Sequence, residues 1–307
     1  MNFHLTSFVL SVIATSTPLL LAATGELITE KSGVLNLGLE GLMLIGAIAG
    51  FAAAYHSGSA LVGVLVGGAA GAALACVFAV LTLNFLSNQV ATGLALAIFG
   101  TGLSALAGSS YVGIAVTPLP ALDVPGLTDL PVIGPILFGQ NALVYFSFLA
   151  LGAVAWFLTR SRGGLIVRAV GDSHDAAHAL GYSVVGIRYL ATMFGGLMSG
   201  LAGAYLSLAY SPSWAENMTA GRGWIALALV VFSTWRPLWL LVGAYLFGSI
   251  MYLSFYIQGL GLAVPSQAVA SLPYLATIAV LVLISRDRVR VRLNAPACLG
   301  QPFHEAG

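Results

Sequence analysis

Long apolar runs separated by short polar stretches divide the chain into nine segments: residues 5–25, 41–56, 61–85, 90–108, 140–159, 189–210, 223–235, 238–257 and 270–285. Most approach the length of about 20 residues that carries an α-helix across roughly 30 Å of hydrocarbon. No Asp, Glu, Lys or Arg lies between Glu40 and Asp123, or from Pro237 to Ser285. Glycine is scattered through the runs, and they lack the alternating ten-residue pattern of membrane strands. The pattern therefore predicts an all-α, polytopic membrane protein with eight to ten transmembrane helices in a single domain, residues 1–307.

One segment is too short. Residues 223–235 make about 20 Å of helix, against roughly 30 Å to be crossed, so residues 211–222 are expected to dip into the membrane. "GVLNLGLEGLMLIGA" and "ENMTAGRGWIALALV" share a shape: Asn and Gly precede an apolar half-helix, with Glu40-Gly41 in one set against Arg222-Gly223 in the other. This weak internal repeat of broken or re-entrant segments points to a binding site near the bilayer midplane, where unwound backbone faces a cavity or is buried in protein.

The connections differ in charge. Residues 109–139 are rich in proline and hold two aspartates but no base. Residues 160–188 hold Arg160, Arg162, Arg168 and Arg188, and the tail, 286–307, adds Arg286, Arg288, Arg290 and Arg292. The positive-inside rule places 160–188, Arg236 and the tail in the cytoplasm and the proline-rich loop outside. The N-terminal side casts no clear vote. The first 25 residues lack a basic n-region and read as a retained helix, not a signal peptide.

Only 7% of the 307 residues are charged and the net charge is +1, so nothing in the composition suggests a nucleic-acid polymer as partner. Two cysteines, Cys76 in an apolar run and Cys298 in the tail, make no disulfide framework. Gly46 and Gly50, Gly63, Gly67 and Gly71, and Gly196 and Gly200 recur at the spacing that lets helix backbones approach where lipid supplies no hydrophobic drive.

The stretch "RAVGDSHDAAHALGYSVVGIR", residues 168–188, has the signals of a short capped helix. Asp172 or Ser173 caps its start, Asp175 completes a box-like spacing with Asp172, Gly181 closes its end, and Ala176, Ala177 and Leu180 share a face. Two turns are marginal alone in water and need something to dock on. The residues alone also fit a solvated loop with a frayed turn.

"DAAHALG", 175–181, resembles the E-A-A-x-x-x-G loop of ABC-importer permeases, with Asp for Glu and without the later part of that motif. "SGVLNLGLEGLMLIGA" (32–47), "NQVATGLAL" (88–96), "PILFGQN" (135–141), "RAVGD" (168–172), "ENMTAGRGWIALA" (216–228) and "PSQ" with "LPYL" (265–275) are similar, in order along nearly the whole chain, to permeases of the branched-chain amino acid and ribose type. The resemblance is to the nucleoside branch, which is served by binding proteins of the basic membrane lipoprotein kind. It implies that 160–188 is the cytoplasmic coupling loop, with Asp172, Ser173, Asp175, Ala176, Ala177, Leu180 and Gly181 docking on an ABC ATPase subunit. It also implies a second homologous permease subunit in a heterodimer, a substrate-binding lipoprotein, a small-molecule substrate and a place in the bacterial inner membrane.

The chain carries no Walker A loop: its one lysine, Lys31, sits in "TEKSG". It is expected to be a transport subunit and not an enzyme, to bind no cofactor, and to leave ATP and Mg to the partner ATPase. His174 and His178 stand four apart with Asp175 as the one nearby carboxylate, so no metal site is expected. Asn36, Glu40, Asn88, Gln89, Glu216, Asn217 and Arg222 are the candidates to line the substrate path, because amides offer both donors and acceptors to a base or a ribose hydroxyl. An ion pair between Glu216 and Arg222 that only holds a broken helix together fits the sequence equally well. Trp214 and Trp224 fit a base-stacking role or an interfacial belt. Ribose-like sugars and branched-chain amino acids remain as alternative substrates, and an ion-coupled secondary transporter as an alternative class.

Overall fold

The computed structural model describes residues 2–122, 125–128, 130–259, 265–285 and 294–304. In order, the helices are α1 (Asn2–Lys31), α2 (Leu39–Ser57), α3 (Ala60–Ala79), α4 (Gln89–Gly108), α5 (Ile133–Phe138), α6 (Ala142–Arg160), α7 (Arg162–Asp172), α8 (His174–Ala179), α9 (Val184–Tyr205), α10 (Arg222–Phe232), α11 (Pro237–Gly259), α12 (Ser266–Ala270) and α13 (Leu272–Ser285). Among the described residues no strand forms, beyond isolated bridges such as Val112 with Trp214. Seven helices are long and apolar enough to cross a membrane, and Arg222–Phe232 is a shorter apolar one. Each of the nine predicted segments contains a helix. The multi-pass, all-α membrane fold stands.

α1 runs past the predicted end at residue 25 as far as Lys31. Its last two turns bury Glu26 and Glu30, which the tertiary structure makes tolerable. Glu26 accepts the Asn36 backbone N–H at 3.4 Å and Glu30 accepts Trp235 Nε1–H at 2.5 Å, in keeping with the rule that buried polar groups are hydrogen-bonded.

Contacts between elements fix the two ends of the bundle. At one end the α2–α3 turn meets the segment after α4, where His56 Nε2 and Tyr111 Oη lie 2.9 Å apart. At the other end lie Lys31, the α7–α8 connection and the tail: Cys298 N–H donates to Gly171 O at 2.8 Å and Gly300 N–H to Gly33 O at 3.0 Å. The Trp235 bond to Glu30 brings the turn before α11 to this same end. The connection containing 160–188, the turn at Arg236 and the tail therefore share one end, and α6 separates them from the 109–139 connection. Arg286, Arg288, Arg290 and Arg292 fall outside the described residues.

α2, α3 and α9 form the tightest part of the core, through the predicted glycines. A Cβ on Gly46 would lie 2.4 Å from the Gly200 backbone, one on Gly71 2.3 Å from Gly196 O, and one on Gly67 2.7 Å from Gly46 O. Only glycine lets these backbones touch, and dispersion between them replaces the hydrophobic drive that lipid does not supply.

Candidate functional site

Two places carry the predicted functional residues: a junction inside the bundle, where α2 proves to be a full-length helix and only α10 the expected half-helix, and the polar connection at the basic end.

At the junction α1 ends and the chain turns back on itself through residues 32–38 before α2 begins. The turn is held by side chains: Gln89 Oε1 accepts Leu35 N–H at 2.8 Å, and Asn36 Oδ1 accepts Gly38 N–H at 2.9 Å. From the other side, residues 211–221 come in from the opposite end, turn tightly through left-handed Asn217, Ala220 and Gly221, and start α10. The starts of α2 and α10 meet. Gly223 packs on the Glu40 backbone so closely that a Cβ there would lie 2.5 Å from Glu40 N.

The Glu40 carboxylate caps α10. Oε1 accepts Thr219 Oγ1–H at 2.5 Å and Gly221 N–H at 2.8 Å, and Oε2 accepts Gly223 N–H at 2.7 Å. An anion here satisfies N–H groups that a helix start leaves free, and it meets the positive end of the helix dipole. Arg222 is 3% exposed. Its Nη1 donates to Met218 O and Thr219 O, both at 3.1 Å, and its guanidinium lies 5.5 Å from the centre of the Tyr210 ring. Among the described residues no ion pair joins Glu216 to Arg222; Glu216 is exposed. The broken helix is held by Glu40 on backbone amides and not by a Glu216–Arg222 pair, the alternative that the sequence left open.

The structure thus brings Glu40 and Arg222 to one junction and sets Asn36 and Gln89 beside it, all four buried. Asn88, Glu216 and Asn217 are exposed. Asn88 caps α4 by accepting Ala91 N–H at 3.0 Å. Trp214 is 3% exposed and packs closely on Gly108 near Phe51 and Ile48, so it is neither a belt anchor nor an open stacking platform. Trp224 is exposed.

At the basic end α8 forms as the capping signals predict. Ser173 supplies the cap, its Oγ accepting Ala176 N–H at 3.4 Å, and Gly181 takes the left-handed conformation with φ of 86°. Two expectations are corrected. Asp172 is the last residue of α7 and forms no box with Asp175, because the cap one residue later starts a separate helix. Ala177 does not share the outer face with Ala176 and Leu180: it is 2% exposed and packs against Val170, Val184 and Phe303, while Ala176 is exposed and Leu180 is 77% exposed. Residues 176 and 180 are one helical turn apart, whereas 177 is rotated by about 100° toward the bundle. Asp172, Asp175 and Gly181 are exposed beside them.

Behind α8 lies a cluster that the sequence did not single out. Arg188 is fully buried and donates from Nε to Ser32 O at 3.2 Å, from Nη1 to Gln301 O at 3.0 Å, and from Nη2 to His174 Nδ1 at 3.3 Å. Burial and the Arg188 charge push the His174 pKa below the usual histidine value, with Asp175, 3.6 Å away, pulling the other way. The excess of arginine at this end was legible; that one of the four would be consumed inside the bundle was not.

A cavity of about 710 Å³ opens between α1, α6, α7 and α9. Its lining, which includes Leu149, Phe157, Leu190 and Phe194, contains none of the predicted path residues. Among the described residues no group of three or more His, Cys, Asp and Glu is placed to hold a metal ion.

The comparisons with known proteins agree with this architecture. Over 96% of both chains the sequence is 42% identical to a putative glucose ABC transporter permease protein of Haloferax volcanii. It is 32% identical to the guanosine ABC transporter permease protein of Bacillus subtilis, over 96% of this chain and 97% of that one. It is 30% identical to a nucleoside ABC transporter permease protein of Lactococcus lactis, over 90% and 91% of the two chains. No solved structure matches. Residues 8–284 match the family described as branched-chain amino acid transport system, permease component, and with nine-tenths of its length inside that match the chain belongs to this family of ABC transporter permeases, membrane subunits that are not themselves enzymes.

Proposed function

We propose that the protein is the permease of an ATP-driven importer for a neutral, hydroxyl-bearing solute, a nucleoside first of all. One observation carries the neutral character. The two charges at the helix junction are spent within the protein, Glu40 on the start of α10 and Arg222 on the carbonyls that precede it. Among the described residues no carboxylate and guanidinium are left facing each other to clamp an amino acid's ammonium and carboxylate. Isolated charges are costly in a membrane interior, and here they are used to hold a break in a helix.

In this reading Asn36, Gln89, Glu40 and Arg222 shape the unwound backbone, and Asn88, Glu216 and Asn217 are the exposed groups that meet solute along the path. The guanosine and nucleoside permeases among the relatives favour a nucleoside over other neutral solutes. A second reading, a hexose such as glucose, is favoured by the relative at 42% identity. α8 seats on the ABC ATPase, a second permease subunit of the same family completes the pathway, and a binding lipoprotein delivers solute from outside the bacterial cytoplasmic membrane.

The test is uptake by the assembled transporter in vesicles, with unlabelled competitors. Excess guanosine, adenosine or uridine is expected to suppress uptake of labelled guanosine, and leucine is not. Uptake of labelled glucose, unaffected by nucleosides, selects the second reading. Competition by leucine overturns both.

A further inference from the structure

We infer that the C-terminal segment 294–304 is a clasp that makes α8 and the loop 32–38 move as one unit, with Phe303 as its positioning residue. The inference rests on α8 being the helix that the ATPase moves. The segment lies beyond residue 284, where the match to the family ends.

The contacts run in sequence from one element to the next. Lys31 Nζ, at the end of α1, donates to Asn294 O at 2.7 Å. Cys298 N–H donates to Gly171 O at the end of α7, and Gly300 N–H to Gly33 O in the loop that leads to Asn36 and Glu40. Gln301 O accepts from Arg188, whose guanidinium also holds Ser32 O and His174. Phe303 then enters the back of α8: its ring lies 5.3 Å from that of His174 and 5.3 Å from that of His178, and it is 6% exposed against Val170, Ala177 and Val184.

α8 reaches the bundle directly through one inward turn, Ala177 against Val170 and Val184 and His174 against Arg188. The clasp adds a second link. It joins the inward side of α8 to the loop whose far end is the Glu40 cap on α10, so a displacement of α8 is passed by hydrogen-bonded backbone and a buried ring to the helix junction. An apolar ring buried among packed side chains transmits a push without a free rotamer to absorb it. A physical claim of coupling requires that the link be cut and the two ends measured separately.

The experiment uses the whole transporter, with ATPase and binding protein, in vesicles, and reads solute taken up per ATP hydrolysed. The probe is labelled guanosine or glucose, whichever the unaltered protein carries. Phe303→Ala is expected to keep the ATPase subunit bound and hydrolysing while uptake per ATP falls by about fivefold or more, within the range of measured couplings. Phe303→Leu, which keeps apolar bulk, is expected to restore most of it.

A second variant closes the clasp covalently; because Gly300 has φ of 75°, which strains any other residue, the variant is compared only with itself, oxidised against reduced. A Cβ on Gly300 would lie 3.9 Å from Leu35 Cβ, a spacing a disulfide accepts. Leu35→Cys with Gly300→Cys, in a background of Cys76→Ser and Cys298→Ser, is expected to transport within twofold of the same level oxidised and reduced, because the clasp stays closed through the cycle. An unchanged ratio in Phe303→Ala overturns the inference, as does loss of the ATPase from that variant, or arrest of uptake when the pair is oxidised. Leu180→Glu, on the outer side of α8, separates the two readings: if it leaves ATPase binding intact, α8 is not the docking helix and the docking assignment fails, whatever Phe303→Ala does.

Discussion

Glu40 Oε2 lies 2.7 Å from the backbone N–H of Gly223, joining the start of the full-length helix α2 to that of the half-length α10, 183 residues away in the chain. The same carboxylate holds Gly221 and Thr219, so one side chain supplies the partners that a helix beginning in the bundle interior would otherwise lack.

Glu40→Ala leaves those donors unpaired in a buried site. Each orphaned group costs on the order of 1–3 kcal/mol, and three of them are expected to destabilise the protein by about 3 kcal/mol or more. Thermal unfolding in detergent measures this. Glu40→Gln is expected to fall between, because an amide keeps one acceptor oxygen but turns NH₂ toward a donor. A melting temperature unchanged in Glu40→Ala would show that the cap contributes nothing.

The outer face of α8 consists of Ala176 and Leu180, with Asp175 alongside. Ala176→Arg or Leu180→Glu is expected to lower co-purification of the ATPase at least about tenfold, by placing charge in a contact whose core is depleted of it, while the permease inserts and melts normally. Ala177→Arg is expected instead to lower the yield of folded protein, because that side chain faces Phe303. Equal effects of all three on folding would remove the case for a docking face.

His174 accepts a bond from Arg188 through Nδ1 and lies against Phe303. Its lowered pKa means that the folded protein favours the neutral ring. The stability this contributes is fully present above the ordinary histidine value of about 6.5 and is lost as pH falls through the lowered one. The groups facing the ring are Arg188 and Asp175, with His178 across Phe303. Protease cleavage within the tail, corrected for protease activity at each pH, is expected to rise between pH 7 and pH 5. His174→Gln should flatten the profile and His178→Gln should not; the same rise in His174→Gln would assign it to another group.

Sidedness follows from the two ends of the bundle. In a background lacking Cys76 and Cys298, single cysteines at Ser57 and Leu122 are expected to react with an impermeant maleimide from outside intact cells. One at Ser173 is expected to react only after the cells are opened. Labelling of Ser173→Cys in intact cells would invert the topology.

The sequence revealed most of the fold, because the cost of unpaired backbone in lipid leaves so few alternatives to apolar helices. It also revealed the break ahead of α10, through simple length, and the cap and stop of α8, through Ser173 and Gly181. What it hid were pairings made at long range. Nothing near Glu40 says that its carboxylate serves Gly221 and Gly223, and nothing near Arg188 says that it turns inward to His174 and Gln301 instead of lying exposed like Arg160 and Arg162. Ala177 was misplaced for a smaller reason: in so short a helix, one residue of rotation separates the exposed side from the buried side, and an alanine suits both.

The glycine seam where α2, α3 and α9 touch has a mechanical meaning. With backbone set on backbone at Gly46, Gly71 and Gly200, there are no side chains at these crossings to change rotamer and let one helix slide along another. The three helices form a fulcrum, stiff at its centre. A machine that opens first to one side of a membrane and then to the other must bend around such a part and not through it. In the proposed transport cycle the working strokes would fall to the lever arms: the half-helix α10 and the outer helices α6, α11 and α13.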